Sequence, residues 1–573
     1  MVTQSLFPES LQSMDRQVAH TCRCAFDLWI AMCNDIEKTF PAIHGILCGL
    51  IQSTHGSTVY EYAAALKAFA GIVRDNLAQP AEPLELTVRR LRRTYSFTPD
   101  QCNCVKWLIP FHNYTLREPE RCLPYLLSLI EFWGRIPIAT EDSEHEAVAD
   151  LFGKQLVLPT APDIDLAPIV HRWCSRYTRP TTFQLSSGAT AETRRGDGLV
   201  RKEQCLVAPV GTGAYQAVMH GVLPVDTGPS SRLISRLVCV PKSVVSMRTI
   251  ACEPTVNALY QQGVFKELCR TALPACRVDL QDQGVNRELA QQGSVHHNFG
   301  TIDLTSASDS VTLSLVKAIF PLKVLGDLLR SRTSWVKYGR HITKLTTYAT
   351  MGNATTFPVE CIVFSAIAEL AKQRTWSRQR YAVYGDDLVV GSDYYYETLM
   401  LLQHYGFSPN LSKCFPPHSD YMESCGGEYY RGHELEVLRL SRNFSGFNDP
   451  SRTTWSDLTA LANRSQYIYP TMRRIIVRLL TQKKQKFGIE PDTVHSDSLR
   501  LNFHLEKDER ASRDWQRPVY RTLGPITKKL PIDGSYALSA WLRAAEGRQE
   551  GPFGFMPVGG LQPSTTVLGL VLN

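Results

Sequence analysis

No apolar stretch in this chain reaches the length, about 18 residues, that a membrane-spanning helix needs, so no span is expected. The opening segment, MVTQSLFPESLQSMDR, has no basic stretch leading into an apolar one, so no secretory signal is expected either. A reducing cytosol is then the expected setting for its 16 cysteines, diluted over 573 residues. The pairs Cys22/Cys24 and Cys102/Cys104 are spaced C-x-C and lack the wider spacing of structural zinc sites, which leaves buried free thiols as the simpler reading. There is no internal repeat and no low-complexity tract. Charge of one sign is also scarce in excess: 62 Lys and Arg against 55 Asp and Glu give a net +7. That balance permits a polyanionic partner without demanding one.

What is present is enough apolar sequence, 43%, to build a large globular protein of two to four domains or one multi-lobed enzyme. Helical apolar spacing dominates residues 1–235, as in VYEYAAALKAFAGIVRDNLA. In LTVRRLRRTYSF, Arg89, Arg90, Arg92 and Arg93 form either a solvated basic face or a phosphate-contacting one. From 236 the texture changes. RLVCVPK reads as strand, TVNALYQQGVFKELCRTAL as helix, FGTIDLTSAS as strand, TFPVECIVFSAIAELAKQ as a long apolar helix and EYYRGHELEVLRL as strand. The alternation is irregular, which predicts an α+β fold with a mixed or antiparallel sheet backed by helices rather than a doubly wound one. The last 130 or so residues read as helical again, with a basic amphipathic helix in PTMRRIIVRLLTQKKQKFG, either an ordinary surface helix or one lying along a nucleic-acid channel.

YAVYGDDLVV, residues 381–390, predicts a strand–turn–strand with Asp386 and Asp387 at the tip. Two carboxylates about 4 Å apart repel by roughly 4 kcal/mol at an effective dielectric of 20. A divalent cation reverses the sign, and hard oxygen ligands suit Mg²⁺ or Mn²⁺. Alone, the doublet reads better as a solvated Asp-Asp turn. TIDLTSASDS adds a second strand ending in an acid, Asp303, followed by Asp309. Three carboxylates at one sheet edge can hold two metals for in-line phosphoryl displacement.

The ordered set of motifs resembles viral RNA-dependent RNA polymerases: VPKSVVSMRTIACEP, IDLTSASDS, MGNATTFPVECIVFSAIAEL, YGDD, YGFSPNLSKC and ESCGGEYYRGHELEVLRL, in that order. Together with DQGVNRELAQQGS it is similar to the replicase catalytic subunit of the small RNA bacteriophages, the leviviruses, most strongly over 236–440. The resemblance implies a right-hand fold. Residues 1–235 would contribute to fingers and thumb, 236–300 would be a fingers segment, 301–440 the palm and 441–573 a helical thumb region. It implies two Mg²⁺ ions, with Mn²⁺ as a substitute, held by Asp303, Asp386 and Asp387 and reached by the Leu304 carbonyl. Asp303 and Asp386 would be the main bridging ligands and Asp387 the more tolerant one. Asp309 would sit near the ribose, Gly352 would give its loop freedom, and Asn353 and Thr356 would hold Asp309 and the nascent base pair. Lys242 and Arg248 would grip the triphosphate, and Lys413 would be a general acid for pyrophosphate. Glu360 departs from the asparagine common in the superfamily, which puts the sugar-reading network in question. The resemblance further implies RNA template and product, ribonucleoside triphosphates, primer-independent initiation and the cytoplasm of an infected bacterium. Its partners would be host elongation factors Tu and Ts and a small-subunit ribosomal protein. A reverse transcriptase, and a non-catalytic RNA-binding or assembly protein on a polymerase-like fold, are the rival readings.

Overall fold

The structure is a computed structural model. It describes residues 16–54, 58–78, 104–136, 141–156, 165–183, 188–194, 202, 234–243, 246–441, 444, 446–447, 452–487, 489–492 and 520–523. Cys102 and the arginines at 89, 90, 92 and 93 lie outside them.

Helices α1 (Arg16–Thr39), α2 (Val59–Ala78) and α3 (Pro119–Glu131) form the N-terminal body. Their apolar faces enclose Trp29, Phe69, Leu126 and Trp133, all almost fully buried. The Trp29 indole donates to the Leu129 carbonyl at 2.9 Å, and its ring meets Trp133 edge-on at 5.5 Å. Each such side chain, once buried, contributes roughly 1.5–3 kcal/mol. Cys22, Cys24 and Cys104 are buried, and none is in a disulfide. The same core takes in the C-terminal helices α8 (Arg452–Arg464) and α9 (Pro470–Phe487) through Leu461, Met472 and Ile476. Asp35 of α1 accepts from the Thr471 and Met472 amides at 2.7 and 3.1 Å. It thereby satisfies donors that the first turn of α9 leaves without intrahelical partners and places negative charge at the positive end of that helix.

The middle of the chain is mixed. Strands β1 (Ile234–Ser243) and β2 (Ser246–Cys252) form an antiparallel hairpin, extended by β4 (Trp335–Tyr338) and β5 (His341–Lys344) in the order β2-β1-β4-β5. After helices α4 (Thr255–Ala275) and α5 (Gly284–His296) comes β3 (Phe299–Ile302), which joins β6 (Tyr381–Tyr384) and β7 (Asp387–Gly391) in an antiparallel sheet ordered β3-β7-β6. Behind it runs α6 (Thr356–Arg374), apolar around most of its circumference and accordingly buried on both sides. Its Pro358 falls in the first turn, where a missing N–H removes no helical bond. Helix α7 (Tyr395–His404) packs against α6 in the second core. A third sheet, with β8 (Tyr421–Ser424) and β9 (Gly427–Tyr430) antiparallel, lies against α5. The α+β architecture expected from the sequence is present. The expected strand in EYYRGHELEVLRL is shorter than its apolar pattern suggests. Beyond His433–Glu434 the segment is irregular, because Leu435, Val437, Leu438 and Leu440 bury into the helical core instead of a ladder.

Candidate active site

The turn between β6 and β7 is two residues long, with Tyr384 paired to Asp387 across it. Gly385 takes φ +61°, the left-handed value that the first position of such a turn requires. A Cβ there would meet the Phe357 ring, and the Gly385 amide donates to the Cys361 sulfur at 3.2 Å. The hairpin tip is therefore seated on the first turns of α6. β3 pairs with β7 up to Ile302 opposite Leu388. One step further along the ladder brings Asp303 opposite Asp387, beside Asp386 in the turn. The three acids come together at one sheet edge, as the sequence predicts.

Asp303 is fixed from its other side. Residues 408–415 lace onto 301–305 through reciprocal 2.9 Å bonds between Thr301 and Phe415, Asn410 N–H to the Asp303 carbonyl at 2.9 Å, and Thr305 N–H to the Ser408 carbonyl at 2.9 Å. The Asn410 amide side chain donates to the Asp303 carboxylate at 2.8 Å. Leu304, buried, bridges to Pro409 in the same ladder. Asn286 of α5 donates to the Asp387 carbonyl at 3.0 Å. Burial pushes the Asp303 carboxyl up; Lys413 and Asn410 draw it down, and Asp386 pushes it up again. Asp387 is pushed up to about 6, by burial first and then by Asp386. The donor set thus has the chemistry a divalent cation would relieve: hard, mutually repelling carboxylates in a partly desolvated edge. Among the described residues no three His, Cys, Asp or Glu side chains stand as a finished metal-holding group.

Cations face this edge. Lys242 lies where the β1–β2 register slips between Pro241 and Ser243, a bulge of the kind that redirects a side chain. Burial, Arg248 and Lys413 lower its pKa, and Asp303 and Asp386 raise it. Among the described residues neither Lys242 nor Arg248 has a carboxylate within ion-pair distance. Lys413, at the end of a 3₁₀ turn, stands 3.8 Å from Glu423 of β8, which raises its pKa most; burial opposes, and Asp303 raises it further.

Asp309 closes a short 3₁₀ turn and is pushed up to about 6 by burial; Lys154 opposes that shift, Asp150 adds to it, and Arg248 and Lys242 oppose it. The 350–356 loop is held internally. Asn353 Oδ1 accepts from the Thr355 amide and hydroxyl at 2.8 and 2.7 Å, and Thr356 donates to the Thr350 carbonyl at 3.0 Å. Neither side chain bonds Asp309. The Asn353 Nδ2 group is buried and has no hydrogen-bond partner among the described residues. Gly352, at φ +116°, lies where a Cβ would meet the Ala251 carbonyl, and the Ala251 amide donates to the Met351 carbonyl at 2.7 Å. Glycine here lets the loop touch β2, the strand that carries Arg248. Glu360 is buried beneath Asp309 and Asp386. Burial foremost pushes its carboxyl up to about 8, the Ser308 hydroxyl lowers it, and both aspartates raise it. With its carboxyl pushed up to about 8 it would keep its proton at neutral pH, with one donor and one acceptor like an amide, and its Oε1 has no hydrogen-bond partner among the described residues. The departure from asparagine is therefore smaller in hydrogen-bonding terms than the sequence alone suggests.

The family description "RNA replicase, beta-chain" matches residues 159–449, just over half of the chain and all of this site. The chain belongs to that family. Over 203 residues it is 36% identical to the RNA-directed RNA polymerase beta chain of Escherichia phage MS2, covering 35% of this chain and 37% of that one. Over 331 residues it is 30% identical to the RNA-directed RNA polymerase subunit beta of Qbeta virus strain MX1, covering 56% and 55%. The aligned region thus spans between about a third and just over half of these curated relatives. Among solved structures it is similar to the BmCPV RNA-dependent RNA polymerase at elongation state, at TM-score 0.47 and 12% identity, covering 83% of this chain and 49% of that one. Beside the expected residues, the site has contributors that lie inside the quoted motifs but to which the sequence assigned no role. Asn410 and Asn286 hold backbone and carboxylate, and Glu423 orients Lys413. Each lies inside a stretch quoted for the resemblance, Asn286 in DQGVNRELAQQGS, Asn410 in YGFSPNLSKC and Glu423 at the head of ESCGGEYYRGHELEVLRL, and that is the signal that could have found it.

Proposed function

We propose that this chain is the catalytic subunit of an RNA-directed RNA polymerase, synthesising RNA from ribonucleoside triphosphates on an RNA template. The observation that supports this most is the set of three carboxylates at one sheet edge, Asp303 with Asp386 and Asp387, faced by the cations Lys242 and Arg248, which have no carboxylate partner among the described residues. The β3-β7-β6 sheet with α6 would be the palm and the β1–β2 hairpin part of the fingers. Residues 1–235 would contribute to fingers and thumb, and the helices after 441 to the thumb.

Asp303, Asp386 and Asp387, with the Leu304 carbonyl, would hold two Mg²⁺ ions, or Mn²⁺ in their place. When bound, such ions lower the pKa of an attacking hydroxyl and neutralise charge on the triphosphate. Lys242 and Arg248 bind and orient the triphosphate, whose charge offsets their mutual repulsion. Asp309 and the protonated Glu360 face the ribose and read its 2′-hydroxyl, with Asn353 and Thr356 stiffening the loop beside them. Lys413, kept charged by Glu423, gives a proton to the departing pyrophosphate. We further propose initiation without a primer, in the cytoplasm of an infected bacterium, in a complex with host elongation factors Tu and Ts and a small-subunit ribosomal protein. Incorporation of labelled nucleotides on an RNA template, by the chain purified from a bacterial host with those partners bound, tests the reading. Ribonucleotides are expected to be strongly preferred; a deoxynucleotide preference would favour a reverse transcriptase, and no incorporation of either would favour a binding or assembly protein.

A further inference from the structure

Lys67 lies on α2, far in sequence from every motif of the site, yet its ammonium donates to the Ser243 hydroxyl at 2.8 Å. Ser243 is the residue after Lys242, and its hydroxyl also bonds Ser246 at 2.7 Å across the hairpin. Lys67, Lys242 and Lys413 are all solvent-accessible. They come from the N-terminal body, the β1–β2 hairpin and the segment that laces onto Asp303. Among the described residues Lys67 has no carboxylate within ion-pair distance. Burial, then Lys242 and Lys413, push its pKa down to about 8, against Glu131. Helix α2 touches the Leu411–Lys413 turn, so three like charges come near one another, and a neutral hydroxyl is the bond partner of one; a bound polyanion stabilises such an arrangement.

We propose that Lys67 is the third cation of a polyphosphate cradle formed with Lys242 and Lys413, contacting the terminal phosphates of the bound nucleoside triphosphate and the pyrophosphate that leaves. This rests on the polymerase reading for the identity of the anion. It makes the N-terminal helical body part of the substrate site, with helix α2 supplying a charge that the central motifs lack. A purely structural role, in which Lys67 only pegs the hairpin to α2 through Ser243, uses the same hydrogen bond and needs a separate arm in the test.

The test uses the full-length chain purified from a bacterial host with the partners proposed above bound, and its variants Lys67→Met, Lys67→Arg and Ser243→Ala. Two quantities are read: the KM for ribonucleotides during synthesis, and the affinity for inorganic pyrophosphate. Loss of one charge-assisted phosphate contact predicts that Lys67→Met raises KM and weakens pyrophosphate binding by about tenfold or more. Its KM should change more than its kcat. Lys67→Arg should recover most of both, and Ser243→Ala, which keeps the charge, should change either by less than about threefold. Unchanged KM and pyrophosphate affinity in Lys67→Met would overturn the cradle, as would a Ser243→Ala variant as impaired as Lys67→Met. If the unaltered chain incorporates no nucleotide but loses pyrophosphate affinity on Lys67→Met, the cradle stands and the polymerase reading fails.

Discussion

Replacing Glu360 by Gln should stabilise this protein at alkaline pH and leave its stability unchanged at acid pH. The side chain is 4% exposed, and its carboxyl is pushed up to about 8 from an ordinary value of 4.5. A carboxyl raised in the folded state binds its proton more tightly there than in the unfolded chain. Its contribution is therefore fully present below pH 4.5, falls as pH rises, and levels off above pH 8. At 1.36 kcal/mol per unit the loss reaches about 3 kcal/mol at pH 7 and about 5 kcal/mol above pH 8 as an upper bound. Glutamine keeps the shape and a donor and acceptor but has no such dependence. Unfolding would be followed by chemical denaturation of both proteins from pH 5 to pH 9, in EDTA so that no cation offsets Asp386. The stability difference should be below about 1 kcal/mol at pH 5 and grow in favour of Gln to about 4 kcal/mol, as an upper bound, by pH 8. A constant difference across that range would refute the claim that Glu360 is held neutral by burial.

Arg74 of α2 pairs with Glu131 of α3 and, at 3.2 Å, with Glu428 of β9, and donates to the Tyr421 hydroxyl at 3.0 Å. Burial would raise the Glu428 carboxyl, but Arg74 and Arg439 overcome it and hold it at about 2. Arg74→Met should cost about 3–5 kcal/mol of stability, measured as a lowered denaturation midpoint, and the charge-balanced double variant Arg74→Met, Glu131→Gln should lose less than the single one. Gly352→Ala should cost roughly 2–5 kcal/mol from left-handed strain and overpacking against Ala251. Because β2 must shift to relieve it, nucleotide incorporation should fall even at temperatures where circular dichroism shows the variant folded.

The tip of the β6–β7 hairpin was legible because its determinants are local: apolar alternation, a glycine where a tight turn needs positive φ, and two acids. Asp303 was legible because the same local pattern, an apolar strand ending in an acid, recurs. Lys67, Asn286, Asn410 and Glu423 were not, since each reaches the site through tertiary packing of an element whose own pattern speaks only of helix, turn or strand. The bulge at Lys242 is likewise a property of register, which two strand sequences do not state separately. The end of EYYRGHELEVLRL departs from the expected strand because the apolar pairs Leu435/Val437 and Leu438/Leu440, each spaced two apart, suit a strand, whereas here they fill a core shared by the N- and C-terminal helices.

Asp386→Asn is the most direct test of the central claim. The substitution preserves size and the turn while removing the carboxylate at the tip. Ribonucleotide incorporation on an RNA template should fall by at least about a hundredfold, with RNA affinity and denaturation midpoint retained. Asp387→Asn should lose less, and Mn²⁺ should restore part of its activity. Incorporation that survives Asp386→Asn would contradict the assignment of the hairpin tip as the catalytic centre.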